Sequence, residues 1–116
     1  QFFTSDLARR MGRAARAGTL YREKPFVMGK EAGEVQPETE SSALVLVQGI
    51  IDAFFEEDGA LVLVDYKTDA VKTGLELVKR YQAQMDLYEE ALKRATGKPV
   101  KEKLLYSFKL REVIPV

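Results

Sequence analysis

The segment ALVLVQGIIDAFFEEDGALVLVDYK, residues 43–67, sets the architecture, because it holds two apolar runs separated by an Asp-Gly pair. Runs this rich in Val, Ile, Leu and Phe are typical of buried strands, and Asp-Gly is a strong signal for a two-residue hairpin turn. We therefore predict a strand over Ala43–Phe55, a type I′ turn at Asp58-Gly59 and a second strand over Ala60–Lys67.

The register of this hairpin brings two carboxylates together. A two-residue turn pairs the residues on either side of it, and counting back along both strands places Asp52 opposite Asp65. Side chains alternate between the faces of a strand, so Lys67 shares the face of Asp65. A four-residue loop would shift the pairing by two and keep both acids on one face. A three-residue loop with a bulge would separate them.

Two acids and a lysine at one point suggest metal-dependent chemistry on a phosphate. Opposed carboxylates repel each other, and a hard cation such as Mg²⁺, which takes one or two carboxylates plus waters and phosphate oxygens, would remove that repulsion. An ammonium at Lys67 could orient the attacking water or stabilise negative charge on the phosphate. The alternative stays open at this point, because Asp-x-Lys is a common pattern and acids at strand ends often lie in surface turns.

Composition excludes several classes of function. The chain has 116 residues, enough for one domain with a core, and 46% of them are hydrophobic, which argues against disorder. Its 18 basic and 18 acidic residues cancel, so any contact with DNA must be local. The absence of cysteine excludes a disulfide framework, a thiolate zinc site and a cysteine-ligated iron–sulfur cluster, and the absence of histidine removes the commonest general base.

The apolar runs are shorter than the roughly 18 residues that a membrane helix requires, and the N-terminus lacks a secretory signal pattern. We therefore expect no membrane association and a cytoplasmic location. A start at Gln1 rather than Met, with Phe2-Phe3 next to it, suggests that residues 1–116 are a single domain cut from a longer polypeptide.

Local signals predict the remaining elements. Thr4-Ser5-Asp6 offers N-cap oxygens ahead of apolar residues at helical spacing, and Gly97 followed by Pro99 is a helix stop signal. The predicted elements are a helix from Thr4 to Gly18 with its apolar side at Leu7, Met11, Ala14 and Ala15, an edge or bulged strand over Thr19–Met28, a loop over Gly29–Ser42, a helix over Leu75–Thr96, a last strand over Val100–Leu110 and a tail over Arg111–Val116. An α/β layer with a mixed sheet is the packing that this order favours.

Two groups of side chains have both a purely structural and a functional interpretation. Arg9, Arg10, Arg13 and Arg16 of the first helix could contact phosphates, but a solvated helix face is the interpretation that we favour. On the long helix, Tyr81, Gln84 and Tyr88 form one ridge of polar tips within the apolar stripe. From spacing alone, we interpret these tyrosines as core residues with wet hydroxyls.

Four motifs in one order resemble the RecB-like branch of the PD-(D/E)xK nucleases, and most closely the C-terminal nuclease domain of AddA-type bacterial helicase-nuclease subunits. The resemblance runs from about Arg22 to Leu92. The motifs are Glu23-Lys24-Pro25-Phe26, Gly49-Ile50-Ile51-Asp52, Asp65-Tyr66-Lys67-Thr68-Asp69 and Tyr81-x-x-Gln84-x-x-x-Tyr88. The fold that the resemblance implies is a restriction-endonuclease-like α/β core, with a mixed central sheet flanked by helices.

The resemblance also implies roles for individual residues. Asp52 and Asp65 would be the metal-binding and catalytic acids, and Lys67 would be the catalytic lysine. The backbone carbonyl of Tyr66 would be a further metal ligand and Glu23 an auxiliary acid. On the long helix, Gln84 and Tyr88, together with Tyr81, would lie near the DNA strand, which turns the tyrosine stripe into a substrate wall.

Two departures from the family pattern refine this expectation. RecB-like nucleases usually carry a metal-site histidine on an upstream helix, and because this chain has none, we expect that helix to precede Gln1. The fragment would then bind metal weakly and cleave poorly. Members with an iron–sulfur cluster, such as Cas4-like and AddB-like nucleases, need cysteines that this chain lacks, which favours the AddA type.

These observations lead to a functional hypothesis and two alternatives. We expect a Mg²⁺-dependent DNA exonuclease domain, with Mn²⁺ as a possible substitute, that acts on single strands delivered by a helicase in double-strand-break repair and recombination. ATP would serve only the helicase region outside this chain, and a second helicase-nuclease subunit would be the partner. The alternatives are a noncatalytic DNA-binding or scaffold module with the nuclease fold, and a stand-alone RecB-like exonuclease.

Overall fold

A computed structural model of the chain describes residues 4–31 and 44–116, which form a five-stranded sheet and two helices. The sheet order is β1-β2-β3-β4-β5, and all neighbours are antiparallel except β3 and β4, which are parallel. The predicted α/β architecture with a mixed sheet is confirmed. The elements are α1 Thr4–Ala17, β1 Leu20–Glu31, β2 Leu44–Glu57, β3 Ala60–Lys67, α2 Gly74–Thr96, β4 Val100–Ser107 and β5 Glu112–Pro115.

The central hairpin has the predicted register. Glu57 pairs with Ala60, and the ladder continues to Ala53 opposite Val64. The two turn residues, Asp58 at φ 53° and Gly59 at φ 79°, both have the positive φ that a type I′ turn requires. Local turn chemistry therefore sets the alignment of β2 with β3.

Helix α2 is the crossover that makes β3 and β4 parallel. Thr73 is its N-cap and accepts a hydrogen bond from the Glu76 amide, while Gly97 closes it at φ 73°, which confirms the predicted end of the helix. Leu77 and Met85 are fully buried against the sheet. The cluster under α2 also contains Ile51, Phe54, Leu61, Leu63, Val71, Leu92, Leu105 and Ile114.

Helix α1 covers the opposite face of the sheet. Leu7, Met11 and Ala14 pack with strand residues that include Phe55 and Leu104. Ala15 was expected on this apolar side but is exposed, because a position one residue past Ala14 is turned about 100° around the helix. The described part of the chain contains no helix that is long and apolar enough to cross a membrane.

The largest differences from the sequence-based boundaries concern β5, the end of β4 and the end of β1. Residues 111–116 were expected to be a tail, but Glu112–Pro115 forms β5, antiparallel to β4, and buries Val113 and Ile114. The predicted last strand stops at Ser107, because the Ser107 hydroxyl accepts the Leu110 amide in a turn. Strand β1 is an edge strand, as Pro25 suggested, but it continues to Glu31 through the start of the predicted loop. Residues 32–42 of that loop lie outside the described residues, as does Ala43.

Arg10 does not belong to a solvated helix face. Its guanidinium donates to both carboxylate oxygens of Glu57, at 2.9 and 2.8 Å, and also bonds Glu102 of β4. The side chain is only 16% exposed, whereas Arg9, Arg13 and Arg16 are exposed as expected. The hydrogen bond from Arg10, the largest influence, lowers the pKa of Glu57 to about 2. Arg10 therefore fastens α1 to the hairpin end of the sheet.

We expect Arg10→Met to lower the free energy of unfolding by about 2 kcal/mol at neutral pH, because two half-buried carboxylates lose charge-assisted hydrogen bonds. Arg13→Met, on the exposed face of α1, is the matched control and should change it little. A depressed pKa stabilises the fold above the ordinary value of 4.5, and this stabilisation is lost as the pH falls towards about 2. Denaturant titrations should therefore show the difference shrinking across that range. An equal loss in both variants would contradict this role of Arg10.

Candidate active site

Asp65 is the buried acid at the end of β3. Its side chain is about 4% exposed, and its Oδ2 lies 2.6 Å from Lys67 Nζ. Apart from this ion pair, Oδ2 has no hydrogen-bond partner within the described residues. Burial is the largest cause that raises the pKa of Asp65 to about 6; Lys67 opposes the rise and Asp52 adds to it. A second cation nearby would therefore stabilise the ionised form of the Asp65 carboxyl.

Asp52 lies at an irregularity in the pairing of β2. In the pairing of β1 with β2, Arg22–Ala53 and Lys24–Ile51 are matched, and the two residues between them, Glu23 and Asp52, are unpaired. Phe54 and Ile51 both pack under α2, although a spacing of three would place them on opposite faces of a regular strand. The faces of β2 therefore exchange at Asp52.

At this irregularity the Asp52 carboxylate lies beside Asp65. The β2–β3 ladder ends at Ala53, one pair before the predicted Asp52–Asp65 pair. In place of a backbone carbonyl, the Asp52 carboxylate accepts the backbone N–H of Tyr66 at 2.9 Å. The two carboxyl groups nevertheless interact directly and raise the pKa of Asp65. The structure thus brings together the two acids that the hairpin register predicted, by a backbone irregularity that the register did not predict.

Three groups hold the Lys67 ammonium in position. It lies 2.6 Å from Asp65 Oδ2, donates to Gln84 Oε1 at 2.9 Å, and sits 3.7 Å from the centroid of the Tyr81 ring. A cation this close to an aromatic face is attracted by the quadrupole of the ring. Two of the three contacts come from α2, so the helix aims the lysine at the acids.

The Tyr81 ring is itself fixed from behind. Its hydroxyl donates to Asp69, with distances of 2.8 and 3.1 Å to the two carboxylate oxygens, and Arg80 donates to the same carboxylate at 2.9 Å. The hydrogen bond with Tyr81 is the largest cause that lowers the pKa of Asp69. From the sequence, Asp69 was recognised only as the end of a motif, without a role of its own. Its position two residues after Lys67 was the one feature of the sequence that could have indicated a role near the lysine.

Tyr88 faces the same acids from the next turn of α2. Its side chain is half-buried, and burial, then the charges of Asp65 and Asp52, raise its pKa. The rings of Tyr81 and Tyr88 both pack against the core cluster. The ridge of Tyr81, Gln84 and Tyr88 is therefore part of the core at its base and a wall of the acidic site at its tips.

Glu23 lies at the rim of the site. It is exposed, with φ 51°, and it lines a shallow cavity of about 190 Å³ together with Asp52, Arg22 and Tyr66. Among residues 4–31 and 44–116, no three acidic, histidine or cysteine side chains are grouped closely enough to hold a metal. The auxiliary role of Glu23 and the ligand role of the Tyr66 carbonyl therefore stay predictions.

The two acids fit a hard divalent cation. Mg²⁺ commonly takes one or two carboxylates and completes its shell with waters and phosphate oxygens. Asp65 Oδ2 is a buried oxygen that lacks a hydrogen bond within the described residues, and Asp52 supplies a second carboxylate next to it. A cation here would remove the charge repulsion that helps to keep the pKa of Asp65 high.

Comparisons with known proteins point to one family. Residues 1–114 match the PD-(D/E)XK nuclease superfamily. Proteins named as the A subunit of an ATP-dependent helicase/nuclease are similar along the whole chain or most of it. The relative from Lachnoclostridium phytofermentans is 39% identical over 100% of this chain and 11% of its own length. The relative from Alkaliphilus oremlandii is 46% identical over 92% of this chain and 9% of its own length. The relative from Clostridium perfringens is 41% identical over 100% of this chain and 10% of its own length.

The chain thus spans about a tenth of the length of the relatives that it matches. The superfamily match, in contrast, includes both acids, Lys67 and the helix that positions it. The mixed sheet flanked by helices is also the architecture that the resemblance implied. This chain belongs to the PD-(D/E)XK nuclease superfamily.

Proposed function

We propose that this chain is a Mg²⁺-dependent DNA nuclease domain that hydrolyses phosphodiester bonds. The observation that carries the proposal is the buried Asp65 Oδ2, which has no hydrogen bond within the described residues and lies beside a second acid and 2.6 Å from a lysine ammonium. A structural ion pair needs one acid for one lysine. The second acid leaves an excess of negative charge that a metal would balance.

Asp52 and Asp65 would hold the ion, with Mn²⁺ as a possible substitute, and the Tyr66 carbonyl and Glu23 would be accessory groups. When bound, Mg²⁺ supplies Lewis acidity towards a phosphate oxygen and lowers the pKa of a bound water. The ammonium of Lys67 stabilises negative charge that grows on the phosphate. Gln84 and the Tyr81 ring hold that ammonium in place, so little reorganisation is needed during the reaction.

The biological setting rests on the relatives. Because they are named helicase/nuclease subunits, we propose that residues 1–116 are one nuclease domain of a longer bacterial, cytoplasmic polypeptide with an ATP-driven motor. The domain would degrade single strands exonucleolytically as the motor delivers them, in double-strand-break repair and recombination. A second helicase-nuclease subunit would be its partner.

A metal titration tests the proposal. We expect Mg²⁺ or Mn²⁺ to raise the free energy of unfolding, by about 1.4 kcal/mol at ten times the dissociation constant. Asp52→Asn should abolish the increase together with Mg²⁺-dependent cleavage of single-stranded DNA. Asp58→Asn is the matched control, because it removes the same charge from the exposed hairpin turn, where Asn-Gly also suits a type I′ turn.

Two results would contradict the proposal. If the complete polypeptide binds DNA and its motor is active, but Asp52→Asn cleaves as fast as the unchanged protein, the acids do not carry the hydrolysis. If neither protein cleaves and metal stabilises neither, the domain is a noncatalytic DNA-binding module.

A further inference from the structure

A cavity of about 490 Å³ lies between the β1–β2 pair and α2, directly beside the acidic site. Its volume falls within the roughly 300–1,000 Å³ of small-molecule sites. Its walls are mainly apolar and aromatic, with Gln84 at the end towards the acids and Lys30 at the other end; the remaining walls include Phe26, Val47, Leu87 and Tyr88. Because Gln84 also holds Lys67, the cavity begins one side chain away from the lysine.

The aromatic walls are held in place by the backbone. The Phe26 and Tyr88 rings meet edge to face, with centroids 5.4 Å apart and planes at 75°. Gly49 lies beneath them, and a Cβ there would be 3.0 Å from Phe26 Cε1 and 3.6 Å from Tyr88 Cε1. A side chain at this position would press on the Phe26 ring, so glycine lets Phe26 pack this close to β2, whereas the contact with Tyr88 would be an ordinary one. In an edge-to-face pair, one ring points its edge at the other ring, so its partner covers neither of its two faces.

Two polar groups at the cavity have no hydrogen-bond partner among the described residues. These are the Tyr88 hydroxyl and the amide nitrogen of Gln84, whose oxygen accepts from Lys67. Lys30, which also lines the cavity, forms an ion pair with Glu90 at 2.6 Å. The cavity therefore combines apolar and aromatic walls with free donors on the side of the acidic site.

We propose that this cavity takes one unpaired nucleobase of the DNA strand whose phosphate lies at Lys67. The inference rests on the proposed nuclease function and adds a subsite to it. A flat aromatic base with polar edges matches rings, aliphatic walls and a few free donors. Stacking accepts every base, so the subsite is independent of sequence, whereas a base that is stacked and paired in a duplex cannot enter it. The cavity thereby selects single strands.

An abasic scan tests this subsite. Single-stranded oligonucleotides, each with one abasic position, are bound to the complete polypeptide in Ca²⁺ in place of Mg²⁺. We expect one position to bind about tenfold more weakly than its neighbours, the effect of losing one stacked base. Bases held elsewhere in a longer protein give penalties at their own positions, so the protein variants below identify the position that belongs to the cavity.

Variants of the protein test whether the base at the penalised position is the one bound in the cavity. Phe26→Ala should remove the penalty at that position and leave the others unchanged. Val27→Ala is the matched control, because Val27 is the next residue of β1, 63% exposed and not part of the cavity wall, and it should keep the penalty. Leu87→Trp fills the cavity without removing either ring, so it repeats the test if Phe26→Ala unfolds.

Equal penalties at all positions, or a penalty that survives both Phe26→Ala and Leu87→Trp, overturn the inference; a cavity occupied by another protein segment would give the first of these results. Cleavage in Mg²⁺ is recorded separately. Position-specific binding without cleavage contradicts the nuclease function and leaves the subsite standing, whereas cleavage without position-specific binding contradicts the subsite alone.

Discussion

Asp65→Asn should lower Mg²⁺-dependent cleavage of single-stranded DNA by about 10³-fold and, at the same time, stabilise the metal-free protein. The loss follows because the variant removes a charged ligand from a site where a metal supplies several kcal/mol to the transition state. The stabilisation follows because a neutral amide takes the place of a buried carboxylate whose Oδ2 has no hydrogen bond within the described residues. Few residues combine both effects, so the pair of results is diagnostic.

The stabilisation should depend on pH in a defined direction. Burial, the largest cause, raises the pKa of Asp65 in the fold from 3.8 to about 6, so the folded state binds this proton more tightly than the unfolded state. The contribution of Asp65 to stability is then complete below 3.8 and is lost as the pH rises through about 6. Asp65→Asn should match the unchanged protein at low pH and exceed it above about 6, by on the order of 3 kcal/mol.

Denaturant unfolding in a chelator, repeated with Mg²⁺, measures both effects. Added metal should stabilise the unchanged protein at neutral pH and leave Asp65→Asn unaffected. Asp58→Asn, in the exposed turn, should respond to metal like the unchanged protein. If Asp65→Asn is less stable than the unchanged protein at neutral pH without metal, then Lys67 alone compensates the buried charge and the site has no need of a metal.

Lys67→Met should also lower cleavage, by about 10²- to 10³-fold, but with the opposite effect on stability. The variant removes the ammonium that would stabilise charge on the phosphate. It also removes the only cation within 4.0 Å of Asp65 in the described part of the chain, so the pKa of Asp65 should rise further. The metal-free protein should then lose stability at neutral pH, while Mg²⁺ should still bind and stabilise it.

The contrast between the two variants separates the role of ligand from that of charge stabiliser. Lys72→Met, at an exposed position between β3 and α2, controls for loss of a lysine and should retain cleavage. Lys67→Arg should rescue cleavage only partly, because a planar guanidinium does not fit the contacts with Gln84 and the Tyr81 ring that suit a compact ammonium. Full cleavage by Lys67→Met would exclude the lysine from the reaction.

Local chemistry explains what could be predicted. The Asp58-Gly59 turn dictates the register of β2 and β3, because positive φ at two successive residues leaves few alternatives. A positive φ likewise ends α2 at Gly97, and Pro25, which has no backbone N–H, fits the edge position of β1. The motifs then point to the two acids and the lysine, and the structure brings these side chains together.

Long-range contacts explain what could not be predicted. Strand β5 has four residues, too few for a pattern, and forms because β4 offers an open edge over which Val113 and Ile114 are buried. Arg10 looks like one of four solvated arginines until the fold brings it to Glu57, 47 residues away in sequence. Regular alternation would have kept β2 paired with β3 as far as Asp52. The pairing instead ends at Ala53, and the Asp52 carboxylate accepts the Tyr66 backbone N–H.

Turn type and strand alternation act over a few residues, so they were enough to predict the central hairpin and Lys67 on the face of Asp65. Asp52 reaches Asp65 through an irregularity of β2 that alternation does not predict. How that site works depends on packing between distant segments. The lysine is aimed by Gln84 and Tyr81 from a helix that the chain reaches after β3, and Tyr81 is in turn held by Asp69. Burial beneath that helix leaves Asp65 Oδ2 without a hydrogen bond among the described residues, and burial is a property of the packed molecule rather than of any motif.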